Sequence, residues 1–264
     1  MPSVRTAAVV TNPSAGAVAG ALERLEAAAA ADGVALVVDE RAETKPDIAI
    51  VLGGDGTMLR ALTRFLGTGV PVIGVNYGRV GFLTAITADQ LEHDIRRVFA
   101  GEYRAIELST LDVSLGDVTR VAVNDVVVAG GTLGRMVELG YAIGGEDLGT
   151  QPCDGLICAS PAGSTAYNLS NGGPVLVWGI DAMVLTFVAP HTLHLRPLVV
   201  PRGPELQITN RTHGLEATVL ADGHRVGPLP EGASATVHVG AERSLLATLP
   251  EVTFFGRYAA TFGR

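Results

Sequence analysis

A run of apolar residues ends abruptly in a loop of glycines around one carboxylate, at Ile48-Ala49-Ile50-Val51-Leu52-Gly53-Gly54-Asp55-Gly56-Thr57. The isoleucines and valine of this run are typical of a strand that is buried on both faces. The residues after the loop, Met58 to Leu66, repeat apolar side chains at helical spacing. Asp55 is therefore predicted to lie at a turn between a buried strand and a helix.

The glycine loop has two interpretations. Glycine lets a ligand approach the backbone, and a helix N-terminus offers unpaired N–H donors to an anion, so the loop could bind phosphate. A carboxylate repels phosphate, so Asp55 would there either bind a divalent metal or accept a proton from an attacking hydroxyl. In the other interpretation the segment is a tight turn in which Asp55 caps the helix.

The composition indicates a folded protein with an excess of acidic residues. Of the 264 residues, 47% are hydrophobic and 17% are charged, and 27 acidic against 19 basic residues give a formal charge of −8. A chain of this length can bury a full core and form two domains. The negative charge argues against a nucleic acid or an anionic membrane as a partner. No segment is a convincing membrane span.

Lysine and cysteine are scarce, which narrows the possible chemistry. Lysine occurs once, at Lys45, and no Gly-x-x-x-x-Gly-Lys sequence exists, so a Walker-type phosphate loop is excluded. Cys153 and Cys158 are too few for a disulfide framework or a structural zinc site, and we interpret them as small buried side chains. The N-terminus lacks the apolar core and cleavage signature of a secreted protein. We therefore expect a reducing compartment.

Strand and helix patterns alternate over roughly the first hundred residues, which predicts an α/β domain with a parallel sheet. Strands are predicted at Val4 to Val10, Val34 to Val38, Ile48 to Leu52 and Val70 to Val75, and helices from Ala21 towards Gly33, from Met58 to Leu66 and from Thr87 to about Ala100. Thr87-Ala88-Asp89-Gln90 has the form of a capping box. The Gly-x-Gly-x-x-Gly fingerprint of dehydrogenases is absent after the first strand.

After Gly101 the pattern changes to short β-type runs separated by glycine-rich turns, which predicts a β-rich second domain. These runs are Leu111 to Leu115, Arg120 to Ala129, Val137 to Ile143 and Thr236 to Val239. The segment from Asp154 to Pro174 interrupts them, and we expect Ser164 or a neighbour to cap a short helix there. Aromatic residues between Glu251 and Arg264 predict a C-terminal segment that docks on another surface.

Together these segments resemble the NAD kinase family, the ATP- or polyphosphate-dependent enzymes that phosphorylate NAD to NADP. The glycine loop alone is a weak signal, because diacylglycerol kinases, sphingosine kinases and phosphofructokinases are similar there. Its combination with Ser164-Thr165-Ala166-Tyr167 is specific. The matching elements, in the family's order, are Gly53 to Thr57, Gly74-Val75-Asn76, Gly81-Phe82-Leu83, Asn124-Asp125, Asp154-Gly155, Ser160 to Tyr167, Gly172-Gly173-Pro174, Pro190 to Leu193, Arg196-Pro197-Leu198 and Asp222-Gly223.

The resemblance implies a reaction and a catalytic residue. The acceptor would be the 2′-hydroxyl of the adenosine ribose of NAD, and Asp55 would be the general base that takes its proton. A carboxylate is a weak base, which suffices because the transition state of phosphoryl transfer is loose and positioning matters more than base strength. With no lysine in the loop, a divalent ion, expected to be Mg²⁺, would neutralise the phosphates and be held mainly by them.

The resemblance also implies binding residues for the donor phosphates and the dinucleotide. They are Gly53, Gly54, Gly56, Thr57, Asn124, Asp125, Arg135, Asp154, Thr165, Ala166, Tyr167, Asn168, Ser170, Ala189 and His224. Asn124 and Asp125 would contact an adenine edge and a ribose diol, although their residue types alone also suit a turn or bulge within a strand from Val121 to Val128. Tyr167 would pack on an aromatic base, and Asp154 would lie near the nicotinamide half.

The chain departs from the family at three positions. Asp125 stands where the family usually has Glu, Ala162 where it has Thr or Ser, and Pro152 where it often has a basic residue. These departures leave open a catalytically weak dinucleotide sensor, against which the intact glycine loop counts. A lipid or sugar kinase is the other alternative, and against it Met58-Leu59 stands where lipid kinases place Asn and Glu.

The fold implied by the resemblance has three parts. They are a Rossmann-like α/β domain at 1–100, a β-rich, sandwich-like dinucleotide-binding domain at 101–245, and a C-terminal segment at 246–264 that returns to the first domain. The implied partners are NAD and NADP, and ATP or inorganic polyphosphate, in a cytoplasmic homodimer or homotetramer. We interpret His191 and His194 as structural residues and assign no protein residue as a metal ligand.

Overall fold

The computed structural model of the protein describes residues 1–11, 18–37, 45–77, 81–131 and 135–263. The chain forms two compact units. Unit 1 comprises Met1–Glu107 with Ser244–Arg264, and unit 2 comprises Leu108–Arg243. No helix within the described ranges has the length and apolar character needed to cross a bilayer. Val38, at the end of a predicted strand, lies outside the described residues.

Unit 1 is built on a parallel sheet with helices. Its elements before residue 100 are β1 (Thr6–Thr11), α1 (Val18–Asp32), β2 (Ala35–Val37), β3 (Ile48–Gly53), α2 (Asp55–Arg64), β4 (Val72–Asn76), β5 (Ile86–Thr87) and α3 (Leu91–Phe99). These strands pair in parallel in the order β2, β1, β3, β4, with β5 beside β4. The predicted α/β class of this part of the chain is confirmed.

The strand β3 lies in the middle of this sheet, and all six of its residues are buried. Ile50 and Leu52 pack in one apolar core with Leu25 of α1 and Ile95 of α3. Because β1 and β4 pair with β3 along its length, the carboxyl end of β3 is held on both sides. The glycine loop therefore starts from a rigid position.

Two helix starts in unit 1 differ from the sequence prediction. The helix α2 begins at Asp55 and not at Met58, so the carboxylate belongs to the first turn, where negative charge is favourable. A short 3₁₀ turn at Ala88–Gln90 precedes α3, and the side chain of Thr87 makes no capping bond. The helix at this position is confirmed, but the predicted capping box is wrong.

Unit 2 consists of antiparallel sheets. The strands from residue 104 onward are β6 (Arg104–Leu115), β7 (Val118–Ala122), β8 (Asp125–Gly130), β9 (Val137–Ile143), β10 (Glu146–Cys153), β11 (Gly155–Ala159), β12 (Ala182–Val188), β13 (Leu198–Pro201), β14 (Leu206–Asn210), β15 (Ala217–Ala221), β16 (His224–Leu229) and β17 (Ser234–Thr248). One sheet has the order β13, β12, β11, β8, β15, β16. The other contains β10, β9, β14 and the part of β17 before residue 244, with β6 and β7.

The two sheets of unit 2 share one apolar core, in which Leu156 of β11 and Ile208 of β14 belong to the same cluster. Cys153 and Cys158 are unpaired thiols buried in this core. Burial raises the pKa of Cys153 to about 12 and raises the pKa of Cys158 as well. The interpretation of the cysteines as small buried side chains is confirmed, and the predicted β sandwich is confirmed with it.

Two local predictions in unit 2 are confirmed only in part. The run at 120–129 is two strands, β7 and β8, separated at 123–124. The helix expected behind Ser164 is a 3₁₀ turn at Gly163–Thr165 and a single turn of helix, α4 (Tyr167–Ser170), and neither has a side-chain cap. Hydrophobic periodicity does not show the break at 123–124, because that break depends on hydrogen bonds to a residue 97 positions away.

The C-terminal segment belongs to unit 1. In the last part of β17, Leu246 pairs in parallel with Val72 of β4. The chain then ends in α5 (Phe254–Phe262), whose first turn is capped by the hydroxyl of Thr253. Phe254 is 7% exposed whereas Phe255 is 69% exposed. The predicted return of the C-terminus to the first part of the fold is therefore confirmed.

Candidate functional site

The glycine loop lies where β3 ends and α2 begins. Gly54 is the residue before the helix, with φ −107° and ψ −170°. Its carbonyl oxygen accepts the N–H groups of Thr57 and Met58 at 2.9 and 3.0 Å, which closes the first turn of α2. The first N–H groups of an α-helix lack partners within the helix, so this turn has the donors that the phosphate interpretation requires.

The carboxylate of Asp55 is fixed by main-chain donors from another loop. The N–H of Phe82 donates to Oδ2 at 2.8 Å, and the N–H of Leu83 donates to Oδ1 at 3.1 Å. A Cβ at the preceding Gly81 would overlap the carboxylate. A carboxylate has about four acceptor sites in all. Asp55 is therefore held in place by two bonds while it keeps capacity to accept a further proton donor.

The glycines of the loop differ in whether neighbouring atoms leave room for a side chain. A Cβ at Gly53 would lie 2.6 Å from Oγ1 of Thr57, so the chain itself requires glycine there. At Gly54 and Gly56 a Cβ would meet no described atom within 4 Å, and neither residue has a positive φ. Nothing within the described chain demands glycine at these two positions. A ligand that approaches the backbone closely would explain glycine at both positions.

In unit 2, the Asn124–Asp125 pair stands at the break between β7 and β8, and Asp222 fixes that break. The carboxylate of Asp222 accepts the N–H groups of Val123, Asn124 and Asp125 at 2.8, 2.8 and 3.1 Å. Asp222 has φ +48°, a left-handed conformation that Asp tolerates better than most residues. The expected turn or bulge is thus a specific interruption built around one distant carboxylate.

The side chains of Asn124 and Asp125 differ in their surroundings. Asp125 is 8% exposed, and burial together with the charge of Asp222 raises its pKa to about 6. Oδ1 of Asn124 is buried and has no hydrogen-bond partner among the described residues. A buried polar oxygen without a partner costs free energy, and an N–H donor of a ligand would satisfy it. The exocyclic amine of adenine is such a donor.

The segment around α4 is held by buried polar side chains. Asn168 is fully buried: its amide N–H groups donate to the carbonyl oxygens of Ser164 and Pro174 at 2.9 and 3.0 Å. Its Oδ1 accepts the hydroxyl of Thr186 at 2.7 Å, and a Cβ at Gly173 would overlap its amide. The side chain of Asn168 therefore fixes the loop and does not present its polar atoms to a ligand.

The neighbours of Asn168 are more accessible. Tyr167 has a 45% exposed ring, and Ser170 is exposed. Thr165 and Ala166 are half-buried, and the hydroxyl of Thr165 donates to the carbonyl oxygen of Ala162 at 3.2 Å. The exposed ring of Tyr167 is available to pack on an aromatic base.

The predicted dinucleotide contacts of unit 2 lie at opposite ends of its strands. At one end, Asp125 pairs with Ala159 and Ala221 pairs with His224, so Asn124, Asp125 and His224 are close along the sheet. At the other end, the N–H of Asp154 donates to the carbonyl oxygen of Val188 at 3.0 Å, next to Ala189. Arg135 follows β8 at this same end and is exposed, as are Asp154, Ala189 and His224. The six residues of β8 make five steps of roughly 3.4 Å, which separate the two ends by about 17 Å.

A metal centre made only of protein ligands is not present in the described ranges, where no group of three or more His, Cys, Asp or Glu side chains converges. His191 and His194 are exposed and lie between β12 and β13. Exposure alone does not test their interpretation as structural residues, which stays a prediction.

Comparison with protein families covers both units. Residues 10–103 match the family model described as the ATP-NAD kinase N-terminal domain, and residues 123–249 match the ATP-NAD kinase C-terminal domain. The chain belongs to the NAD kinase family. NAD kinases are phosphotransferases with an alcohol acceptor.

Curated relatives agree with this assignment. The NAD kinase of Heliobacterium modesticaldum is 40% identical over 214 residues, which cover 79% of this chain and 76% of the relative. The NAD kinase of Gemmatimonas aurantiaca is 37% identical over 84% of this chain and 78% of the relative. NAD kinase 2 of Streptomyces avermitilis is 36% identical over 82% and 73%. These relatives give no support to a dinucleotide sensor or a lipid kinase.

Solved structures place the chain on the same fold. An NADH kinase of yeast complexed with NADH matches with a TM-score of 0.84 at 21% identity, covering 99% of this chain and 88% of that one. An NAD kinase of Archaeoglobus fulgidus in complex with ATP matches with a TM-score of 0.78 at 26% identity, covering 98% and 97%. The NAD kinase fold therefore extends over nearly the whole chain.

Three groups that hold candidate site residues within their own units are missing from the residues assigned by sequence. They are the Gly81–Leu83 segment that holds Asp55, the Asp222 carboxylate that holds Asn124 and Asp125, and Arg257 of α5, whose Nη1 donates to the carbonyl oxygen of Gly81 at 3.3 Å. Gly81-Phe82-Leu83 and Asp222-Gly223 were visible as family motifs, but their bonding was not. For Arg257 the sequence offered no signal, because its partner is 176 residues away.

Proposed function

We propose that this member of the NAD kinase family transfers the terminal phosphoryl group of ATP or inorganic polyphosphate to the 2′-hydroxyl of the adenosine ribose of NAD. The ribose oxygen forms the new bond to phosphorus, the donor's bridging P–O bond breaks, and Asp55 accepts the hydroxyl proton. One observation carries the proposal. The Asp55 carboxylate is fixed by two main-chain donors, and it lies in a loop whose Gly54 and Gly56 are not required to be glycine by any described residue.

The geometry of Asp55 suits a general base in a reaction governed by positioning. Two N–H groups fix the orientation of the carboxylate without using all its acceptor sites. A loose phosphoryl-transfer transition state requires little proton transfer until late, so an accurately placed weak base is sufficient. In this role Asp55 orients the hydroxyl for attack and then receives its proton.

The glycine loop and the N-terminus of α2 are proposed to bind phosphate. A ligand can reach the backbone at Gly54 and Gly56, and the first N–H groups of the helix favour an anion. Thr57 is 6% exposed, and its side chain lies against Gly53. We therefore assign Thr57 to the shape of the loop more than to the ligand.

Mg²⁺ is the proposed metal, and the residues present fit an ion held mainly by substrate phosphates. The described part of the chain contains no cage of three or more ionisable ligands, and Asp55 is the one carboxylate in the loop at 53–57. Mg²⁺ commonly takes one or two carboxylates together with phosphate oxygens and water. When bound, the ion would neutralise charge on the transferring phosphoryl group.

The dinucleotide is proposed to bind unit 2 through its adenosine half at the break before β8. The buried Oδ1 of Asn124 lacks a partner and can accept from the adenine amine, while Asp125 can accept from a ribose hydroxyl. The exposed ring of Tyr167 can stack on a base. These groups select a nucleotide and not a lipid as the acceptor.

We also propose a cytoplasmic homodimer or homotetramer. The oligomeric state is supported by the separation of about 17 Å between the two ends of β8. This separation places Arg135, Asp154 and Ala189 away from Asn124 and His224. A second copy that brings its Asp154 end to the Asn124 end would unite the two groups. Light scattering of the purified protein measures the oligomeric state, and a monomer that is fully active contradicts this part of the proposal.

The function is tested by incubating the purified protein with NAD, Mg²⁺ and either ATP or polyphosphate, and by measuring NADP. We expect NADP with at least one donor, and loss of its formation in EDTA with recovery on adding Mg²⁺. A parallel reaction with NADH tests the acceptor. Tight NAD binding without NADP from either donor would instead indicate a sensor.

A further inference from the structure

The C-terminal helix α5 contacts the segment that holds Asp55. Nη1 of Arg257 donates to the carbonyl oxygen of Gly81 at 3.3 Å. The next two residues, Phe82 and Leu83, donate their N–H groups to the Asp55 carboxylate. The guanidinium and the carboxylate therefore bind the same three residues, one through a carbonyl oxygen and the other through N–H groups.

Aromatic packing joins the same two parts of unit 1. Phe82 is 6% exposed, and its ring centroid lies 6.1 Å from that of Phe254 and 5.6 Å from that of Phe262. These contacts are apolar and fix where α5 lies. They do not determine the direction of the Phe82 and Leu83 N–H groups, whereas the bond from Arg257 is a directional contact to this segment.

The charges of Arg257 and Asp55 are also coupled. Arg257 is half-buried, and burial lowers its pKa to about 10 while the charge of Asp55 acts in the opposite direction. A group with this pKa is still a cation at neutral pH. Arg257 therefore carries a positive charge close enough to interact with the charge of Asp55.

We propose that Arg257 is a positioning residue for phosphoryl transfer, which holds the Gly81–Leu83 segment so that its N–H groups keep the Asp55 carboxylate in its reactive orientation. The proposal rests on the proposed role of Asp55 as the base. It makes the last helix of the chain part of the catalytic apparatus, although no residue of α5 is proposed to touch either substrate.

A purely structural role of Arg257 predicts different behaviour. If Arg257 only docks α5, its loss lowers the melting temperature and reduces kcat by the same factor whether or not Asp55 is present. If Arg257 acts through Asp55, its loss reduces kcat only while the carboxylate is there to be positioned. A double-mutant cycle on kcat separates the two cases.

The test compares wild type, Asp55→Asn, Arg257→Gln and the double variant in steady-state NADP formation, with melting temperatures measured alongside. Arg120→Gln is the matched control, because Arg120 is an exposed arginine in unit 2. We expect Arg257→Gln to lower kcat roughly tenfold, with KM for NAD within about threefold; the loss is smaller than the roughly 10²-fold cost of a misplacement of about 1 Å because Arg257 acts on Asp55 only through the Gly81–Leu83 segment. Arg257→Lys should recover part of the loss, and Arg120→Gln should match wild type.

The decisive comparison is Arg257→Gln in the Asp55→Asn background. We expect no further loss of kcat there, within about twofold. The same loss in both backgrounds, an unchanged kcat, or a loss confined to KM would overturn the role of Arg257 and leave Asp55 as the base. Wild-type kcat in Asp55→Asn would overturn the role of Asp55 and this inference with it. Should Arg257→Gln not fold, Arg257→Lys enters the same cycle, with a smaller loss expected only in the Asp55 background.

Discussion

Asp222 and Asp125 are joined by reciprocal hydrogen bonds. The N–H of Asp222 donates to the carbonyl oxygen of Asp125 at 2.9 Å, and the N–H of Asp125 donates to the Asp222 carboxylate at 3.1 Å. The same carboxylate accepts the N–H groups of Val123 and Asn124. One acidic side chain thus satisfies three main-chain donors at the point where β7 ends and β8 begins.

Replacing Asp222 by Gly should therefore destabilise unit 2. Glycine accepts the positive φ of this position, so the change mainly removes the acceptor for three N–H groups. We expect a loss of about 2–4 kcal/mol in the free energy of unfolding, since an unsatisfied buried donor costs about 1–3 kcal/mol. Urea unfolding measures this free energy. Asp117→Gly, in the exposed turn after β6, is the control, and equal losses in the two variants would show that the Asp222 bonds contribute nothing.

Asp125 should make stability depend on pH. Its pKa of about 6 in the folded protein lies above the ordinary value of 3.8, so folding favours the protonated form. The stabilising contribution is fully present below pH 3.8 and is lost as the pH rises through 6. Relative to Asp125→Asn, the wild type should lose about 1 kcal/mol of unfolding free energy between pH 5 and pH 8. Urea unfolding of both proteins at each pH measures the unfolding free energy. If this free energy changes with pH in the same way in both proteins, the raised pKa of Asp125 is contradicted.

Asp55→Asn should reduce catalysis more than binding. The amide cannot accept a proton as a base, and its NH₂ group would oppose one of the two N–H donors of Phe82 and Leu83. We expect kcat to fall at least about 10²-fold, with NAD affinity within roughly tenfold. Steady-state kinetics and calorimetric titration with NAD measure the two quantities. An unchanged kcat would remove Asp55 from the mechanism.

Gly54→Ala should fold normally and still lose substrate binding. A Cβ at Gly54 meets no described atom within 4 Å, so we expect the unfolding free energy to stay within about 0.5 kcal/mol. If phosphates approach the backbone there, KM for the donor or for NAD should rise at least about tenfold, which is 1.4 kcal/mol of binding free energy. Gly20→Ala, in α1 and equally free of contacts, should match wild type. Wild-type kinetics in Gly54→Ala would argue against a phosphate loop.

Gly81→Ala, unlike Gly54→Ala, should lower the stability of the protein, and it should also lower kcat. Its Cβ would overlap the Asp55 carboxylate, so the side chain of Asp55 or the loop must move. We expect a lower melting temperature together with a fall in kcat of roughly 10²-fold, the cost of about 1 Å of misplacement. A protein with normal kcat and normal melting temperature would show that the Asp55 geometry is not required.

The sequence by itself determined the class of the fold and the place of the glycine loop. Alternating strand and helix periods, then short β runs, come from local burial patterns, which a single sequence displays directly. For the same reason Val137–Ile143 was predicted with its observed bounds. The family motifs supplied the reaction, because they lie close together in the chain around Asp55 and around Tyr167.

Only the tertiary structure decided how the polar groups are held. The break before Asp125 depends on Asp222, 97 residues away, and the orientation of Asp55 depends on Phe82 and, through Gly81, on Arg257. A hydrogen bond between distant segments leaves no periodic trace in either segment, since each residue type is common on its own. Residue patterns can therefore locate a carboxylate in the chain, whereas its partners are fixed only when the strands and helices pack.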